Sequence, residues 1–305
     1  MARDTMRKKW PNFFTAGVPK AGTTSLYAVF RHHPDMYTAE IKEPNFFNRS
    51  VVPDNALIKP VRDEKYYLKL YEKAYSEPIL CDMSISLFED PTSCRQILEV
   101  SPDAKILICL RDQVERMFSL YLMLKRNGRI HGSFREELER GLDEAKYVPG
   151  VPGMKLKKRL YAENLSLWLD SFRKENIKVI LFEEFIADQH AILNSIFEFL
   201  GIAAMDKENQ VLGAHNTYGE PRNLVSKFVL KNIRSKKLYS LFPYTFRKFV
   251  RDSLLLKAAE KPLMENDDRM FLKDFFIEDT LEVQKILARQ LPWKNFADVR
   301  HNPTA

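Results

Sequence analysis

Residues 12–30, NFFTAGVPKAGTTSLYAVF, constrain the fold more than any other stretch. A short apolar run ends in Gly17, a turn follows, and an apolar periodic segment starts at once. A strand turning through glycine into a helix leaves several backbone N–H groups at the helix start without an intrahelical acceptor. With the positive end of the helix dipole, those donors make an anion site. Lys20 adds a full charge and Thr23, Thr24 and Ser25 add short hydroxyl donors, while Gly22 lets the backbone approach a ligand oxygen closely. Threonine alone would make an ordinary capped helix start; the lysine, glycine and three hydroxyls together favour an anion. Leu26, Val29, Phe30 and His33 share one face of the predicted helix, and Pro34 ends it.

The rest of the chain repeats the strand–helix alternation. Residues 78–88 (PILCDMSISLF) and 104–112 (AKILICLRD) read as strands, and 177–185 (IKVILFEEF) as a third. Residues 113–128 read as a helix stopped by Asn127-Gly128, and 161–176 as another amphipathic helix. From about residue 189 onward the pattern is helical. Nearly continuous apolar strands separated by helices demand a parallel sheet covered on both faces. The expected fold is therefore α/β: a P-loop-like three-layer sandwich, a central parallel sheet flanked by helices, with a helical C-terminal portion. One domain over 11–295 with tails at 1–10 and 296–305 accounts for the pattern, and the Pro/Gly-rich stretch 147–155 reads as a surface excursion.

Composition narrows the function classes. The 305 residues are 45% hydrophobic and 12% aromatic, enough to bury a large core, and the formal charge of +7 suits acidic ligands. Cys81, Cys94 and Cys109 form neither a disulfide framework nor a zinc pattern, and no HxxxH or CxxC frame occurs, so no metal is expected. No nucleic-acid module is recognisable. The N-terminal segment lacks an apolar signal core, and no later run approaches the roughly 20 apolar residues of a membrane span. A soluble cytoplasmic protein is the expectation.

The opening loop departs from the common nucleotide-binding P-loop, G-x-x-x-x-G-K-[ST], because Lys20 lies between Gly17 and Gly22 and Thr23 fills the usual lysine position. The order Lys20-Ala21-Gly22-Thr23-Thr24 instead resembles the K-x-G-T-[TS] loop of the sulfotransferases that use 3′-phosphoadenosine-5′-phosphosulfate (PAPS). The continuation LYAVFRHHPDMYTAEIKEPNFF is similar to the bacterial and heparan-sulfate-type branches. A second family motif, R-[ND]-P-x-x-R-x-x-S, is matched after the strand 104–112 by Arg111 and Ser119, with Gln113 where the family often has proline. The likeness extends over about residues 11–295.

The resemblance implies a set of roles. Residues Lys20, Ala21, Gly22, Thr23, Thr24 and Ser25 would hold the 5′-phosphosulfate, and Arg111 and Ser119 the 3′-phosphate. Lys20 would meet charge at the bridging oxygen. Glu43 takes the position of the catalytic base; a carboxylate beside Pro44, Phe46 and Phe47 is partly desolvated, though it has Lys42 as an alternative partner. Asp82 is a lesser candidate. Met83 replaces a family lysine, which removes a second cation from that strand end. His33-Pro34 reads as a helix-end feature and Arg116 as half of a structural ion pair. Arg222, in the stretch 215–223, is a further candidate for the 3′-phosphate. PAPS would be the co-substrate and 3′,5′-adenosine bisphosphate (PAP) the product, with a small molecule, glycan or glycolipid as acceptor. Residues 221–251 hold nine Lys/Arg and no Asp or Glu. Such a segment suits an anionic glycan or peripheral contact with an acidic membrane surface, and equally a solvated basic face. A catalytically silent PAP-binding module of the same fold is the alternative to an active enzyme.

Overall fold

The computed structural model describes residues 9–52, 60–143, 154–206, 219–223, 225–226, 229 and 255–299. Five short strands build the central sheet: β1 (Phe13–Thr15), β2 (Met36–Thr38), β3 (Ile79–Asp82), β4 (Lys105–Leu110) and β5 (Ile177–Leu181). Every pairing is parallel, and the order is β2-β3-β1-β4-β5. β1 sits at the centre, in register with Cys81 on one side and with Ile106 and Leu107 on the other. β1, β3 and all but the first residue of β4 are buried, as a parallel sheet covered on both faces requires. The α/β sandwich expected from the sequence is the architecture observed.

The helices follow their end signals. α1 (Thr23–Phe30) follows β1. α2 (Glu64–Lys69) starts at Asp63, which accepts the Tyr66 N–H. α3 (Ser93–Val100) precedes β4, and α4 (Gln113–Arg126) follows it, ending just before Gly128, whose φ of 65° closes the helix. α5 (Phe134–Leu142) opens with a Ser133/Glu136 capping box. α6 (Ala162–Ser171), α7 (Phe182–Ala187) and α8 (Gln189–Leu200) surround β5 in sequence. A small antiparallel ribbon joins β6 (Gly219–Pro221) to β7 (Leu256–Ala258). The 22-residue α9 (Asn266–Leu287) packs on α4 and α6. Its Asp279 accepts the N–H groups of Tyr161 and Ala162 at 2.8 and 2.9 Å, supplying the cap that α6 lacks locally.

Several sequence boundaries are corrected. The strand expected over 177–185 stops at Leu181, and Phe182 begins α7; Glu183 and Glu184 lie in that helix's first turn, where the dipole favours carboxylates. The strand expected over 78–88 stops at Asp82, and Ile85–Glu89 form a 3₁₀ turn. α1 ends at Phe30, before His33. His33 is still buried, its Nε2 2.9 Å from the Ala203 carbonyl and its ring against Phe197, so it fastens the helix end to the segment after α8. At the expected tails, Trp10 packs against Phe46, Phe47 and Tyr67, while Phe296 and Val299 are buried, because each carries an apolar side chain into the core. The stretch 147–155 and most of 221–251 lie outside the described residues.

Candidate active site

The first loop leaves the carboxyl edge of the central strand, where ligands of open α/β sheets bind. Val18 N–H donates to the Cys109 carbonyl at 3.0 Å and so pins the loop to β4. Lys20 has φ 74° and Gly22 φ 81°. A positive φ costs a residue with a β-carbon roughly 1 kcal/mol or more, and such strain gathers at functional sites. A β-carbon on Gly22 would also lie 3.1 Å from Phe182 and 3.2 Å from Phe185. Glycine therefore answers both the torsion and the close approach to α7.

The loop's carbonyls are turned toward arginines. Arg111 Nη1 donates to the Lys20 carbonyl at 2.7 Å and Arg116 Nε to the Pro19 carbonyl at 3.4 Å. Gly22, the N-cap of α1, offers no side-chain cap, and the first turn contains no acidic residue. The Ser25 N–H donates to the Gly22 carbonyl at 2.9 Å, and the N–H groups of Thr23 and Thr24 before it are placed for an anion, beside the hydroxyls of Thr23, Thr24 and Ser25.

Arg111 follows β4 directly. Its Cζ lies 4.4 Å from the centre of the Phe182 ring, and its own carbonyl accepts the Tyr161 hydroxyl at 3.0 Å. Burial lowers its pKa below the usual arginine range without neutralising it. Its Nε is buried and unpartnered within the described residues. An orphaned guanidinium N–H beside an uncapped helix fits a ligand with two separate anionic groups. Ser119 is half-buried on α4. The 2.7 Å bond from Arg111 to the Lys20 carbonyl brings the two sequence motifs into one site.

Glu43 and Lys42 lie on the loop after β2. Lys42 Nζ donates to Glu43 Oε1 at 3.3 Å and to Thr24 Oγ1 at 3.2 Å, which sets the carboxylate beside the first turn of α1. A network holds this loop. Asn45, at φ 55°, donates its N–H to Ser84 Oγ and its side-chain amide to the Glu43 carbonyl. Asn48 and Ser86 both donate to Asn45 Oδ1. Ser84 N–H in turn donates to Asp82 Oδ1 at 2.8 Å, and the Tyr67 hydroxyl to Asp82 Oδ2 at 2.6 Å. Asp82 is fully buried and both its oxygens are engaged; burial raises its pKa despite those bonds. Sealed from an acceptor, Asp82 anchors the loop that presents Glu43.

One further feature is legible in the sequence only in part, and a second escapes it. Arg116, recognised there as half of an ion pair, shares Glu89 with Arg159 beneath the loop; burial pushes Glu89 upward, but the two guanidiniums outweigh it and hold the carboxyl below its usual range. Glu183 accepts the Asp112 N–H at 3.1 Å through Oε1, while Oε2 is buried without a partner among the described residues. Burial pushes Glu183 up to about 7. The one available signal was an acidic pair directly after a buried strand. Arg222 Nε donates to the Leu256 carbonyl at 2.9 Å, which ties its side chain to the β6–β7 ribbon.

A family model described as the sulfotransferase domain matches residues 11–251. Carbohydrate sulfotransferase 15 of Mus musculus is 25% identical over 256 residues, 66% of this chain and 46% of that protein. The bifunctional heparan sulfate N-deacetylase/N-sulfotransferase 1 of the same species is 22% identical over 286 residues, 92% of this chain and 30% of that protein. The chain spans less than half the length of these two relatives. A solved sulfotransferase from Alicyclobacillus acidocaldarius is 27% identical with a TM-score of 0.69, covering 93% of this chain and 98% of that one. With a family model matched across most of its length and a strand–loop–helix site at the centre of its sheet, the chain belongs to the sulfotransferase family.

Proposed function

We propose that the chain transfers a sulfuryl group from PAPS to the hydroxyl of a carbohydrate, glycolipid or small metabolite. The observation that carries this reading is the bond between Arg111 and the Lys20 carbonyl, which joins two anion anchors across neighbouring strands. PAPS supplies a sulfuryl group on a phosphate leaving group, with a 3′-phosphate at the other end of the nucleoside. The opening N–H groups of α1, with Ala21, Gly22, Thr23, Thr24 and Ser25, hold the 5′ end. Arg111 and Ser119 hold the 3′-phosphate, with Arg222 as an outer contributor. Lys20 places positive charge where the leaving oxygen becomes anionic. Glu43 takes the proton of the acceptor hydroxyl as the new S–O bond forms.

The similarity to a carbohydrate sulfotransferase and a heparan sulfate N-deacetylase/N-sulfotransferase supports a glycan acceptor. The nine Lys/Arg of residues 221–251, with no Asp or Glu among them, suit an anionic glycan or an acidic membrane; salt-sensitive binding to such glycans or vesicles checks it. No helix among the described residues is long and apolar enough to cross a membrane. Action in the cytoplasm is part of the same reading, and cell fractionation checks it.

Calorimetric titration with PAP, followed by labelled PAPS against an acceptor panel, tests the whole reading. Glu43→Gln should lower the transfer rate by roughly 10²–10⁴-fold, the span of a general base, while PAP affinity stays close to wild type. An unchanged rate removes Glu43 from the chemistry. PAP binding with no transfer to any acceptor would make the chain a nucleotide-binding module. The cations named here supply the charge, so EDTA should leave the rate unaltered.

A further inference from the structure

We propose that Lys42 is a second catalytic cation, which meets an oxygen of the transferring sulfuryl group from the side of the base. The inference deepens the sulfotransferase reading and rests on it. β3 ends in Asp82 and Met83 follows it, both buried, and this strand end brings no positive charge to the site. Lys42 does. Its ammonium touches Thr24 of the first anion loop and Glu43, and its side chain is only 14% exposed, so its charge is directed into the site.

An ammonium has three N–H donors, and two are accounted for by Thr24 Oγ1 and Glu43 Oε1. The third is available to a ligand oxygen. Thr24 accepts from Lys42 through its hydroxyl oxygen and stands on the first turn of α1, so the ammonium is tied to the helix end that would hold the same anion. The pairing with Glu43 also changes during the reaction. As the acceptor O–S bond forms and the S–O bond to phosphate breaks, the acceptor proton passes to Glu43 and the electron pair leaves on the phosphate oxygen. Glu43 becomes neutral, and Lys42 loses its counter-charge while negative charge moves toward the leaving group. A cation released at that moment stabilises the transition state more than the ground state. Lys42 itself transfers no proton.

A purely structural Lys42 would hold the loop that carries Glu43. That loop is already fixed by Asn45, Asn48, Ser84, Ser86 and Asp82, so removing one ammonium should leave it folded. The test uses Lys42→Met and Lys42→Gln, with Lys42→Arg as the charge-preserving variant. PAP and PAPS affinities, kcat and KM are measured beside wild type, and melting temperatures confirm the fold. Expected for the neutral variants is a kcat lower by about 10²-fold, the loss typical of one oxyanion donor, with PAP affinity within about threefold. Any preference for PAPS over PAP should shrink, and Lys42→Arg should recover part of kcat. Wild-type transfer with an unchanged kcat in Lys42→Met overturns this inference alone. So does a parallel loss of PAP and PAPS affinity at constant kcat, which would mark a phosphate anchor. Absence of transfer by the wild type sinks the parent reading, and this one with it.

Discussion

The β1–α1 and β4–α4 junctions share one plan and opposite chemistry. Each is a buried parallel strand, a short turn and a helix, and the two strands are neighbours in the sheet. α1 begins at Gly22 with no side-chain cap and no acidic residue in its first turn. α4 begins at Asp112, whose Oδ1 accepts the Val114 and Glu115 N–H groups at 3.0 and 3.3 Å and whose Oδ2 accepts from Asn295. Both helices have the same dipole, so the field cannot decide which end takes an anion. The cap decides. At α1 the backbone is open to a ligand; at α4 a carboxylate already occupies that place, and recognition passes to the Arg111 side chain. In the proposed function the open backbone takes the end that reacts, and the planar fork takes the phosphate that distinguishes the nucleotide.

The largest effect should come from stripping the open junction of its charge. Lys20→Ala is expected to lower transfer by about 10²–10³-fold or more and to weaken PAP binding. Lys20→Gly suits the positive φ and should melt no lower than the alanine variant, yet lose the rate equally. A fast Lys20→Gly enzyme would mean that the lysine is present for its backbone, and the comparison would fail.

A smaller effect is expected at the closed junction. Arg111→Ala should cut the preference for PAP over adenosine 5′-phosphate by about 10- to 100-fold, the worth of a hydrogen bond to a charged group. Arg111→Lys keeps the charge and loses the fork, so it should fall between. Equal loss for both nucleotides would show that Arg111 only shapes the first loop through the Lys20 carbonyl.

How much of this was legible follows from what each residue needs. Lys20, Gly22 and the three hydroxyls are local in sequence, and a strand–turn–helix reading places them without tertiary information. Arg111 was visible as the charged end of an apolar strand. Its contact with Lys20, 91 residues earlier, depends on strand order, which periodicity does not encode. Asp112 resembled a strand end, although Asp112 with Glu115 three residues on is a helix-start signature. Asp82 was legible as a strand terminus but not as sealed, because Tyr67 closes over it from α2. Lys42 was read only as a neutralising neighbour of Glu43, since its bond to Thr24 crosses from one loop to another. The role of Glu183 depended on recognising that β5 ends before Phe182.

The effect most diagnostic of how the closed junction is held is a change of stability with pH that leaves the chemistry untouched. Glu183 fastens the Asp112 N–H through Oε1 while Oε2 stays buried and unpartnered among the described residues. Burial, with the Asp112 charge added and Arg111 opposing, lifts its pKa from an ordinary value of 4.5 to about 7. The folded protein therefore keeps a proton that the unfolded chain releases. Stability should fall as pH rises from about 4.5 through about 7, then level off. At about 1.4 kcal/mol per tenfold change in acidity, the loss is about 3 kcal/mol. Glu183→Gln keeps an acceptor for the Asp112 N–H and cannot ionise, so its urea midpoint should gain on wild type across that window; parallel curves would refute the assignment. Anionic PAP beside Arg111 would favour the protonated form still more, so wild-type PAP affinity should decline as pH passes 7, and that of the Glu183→Gln variant should decline less. If both decline alike, the proton lies elsewhere, and α4 is closed by Asp112 without help from α7.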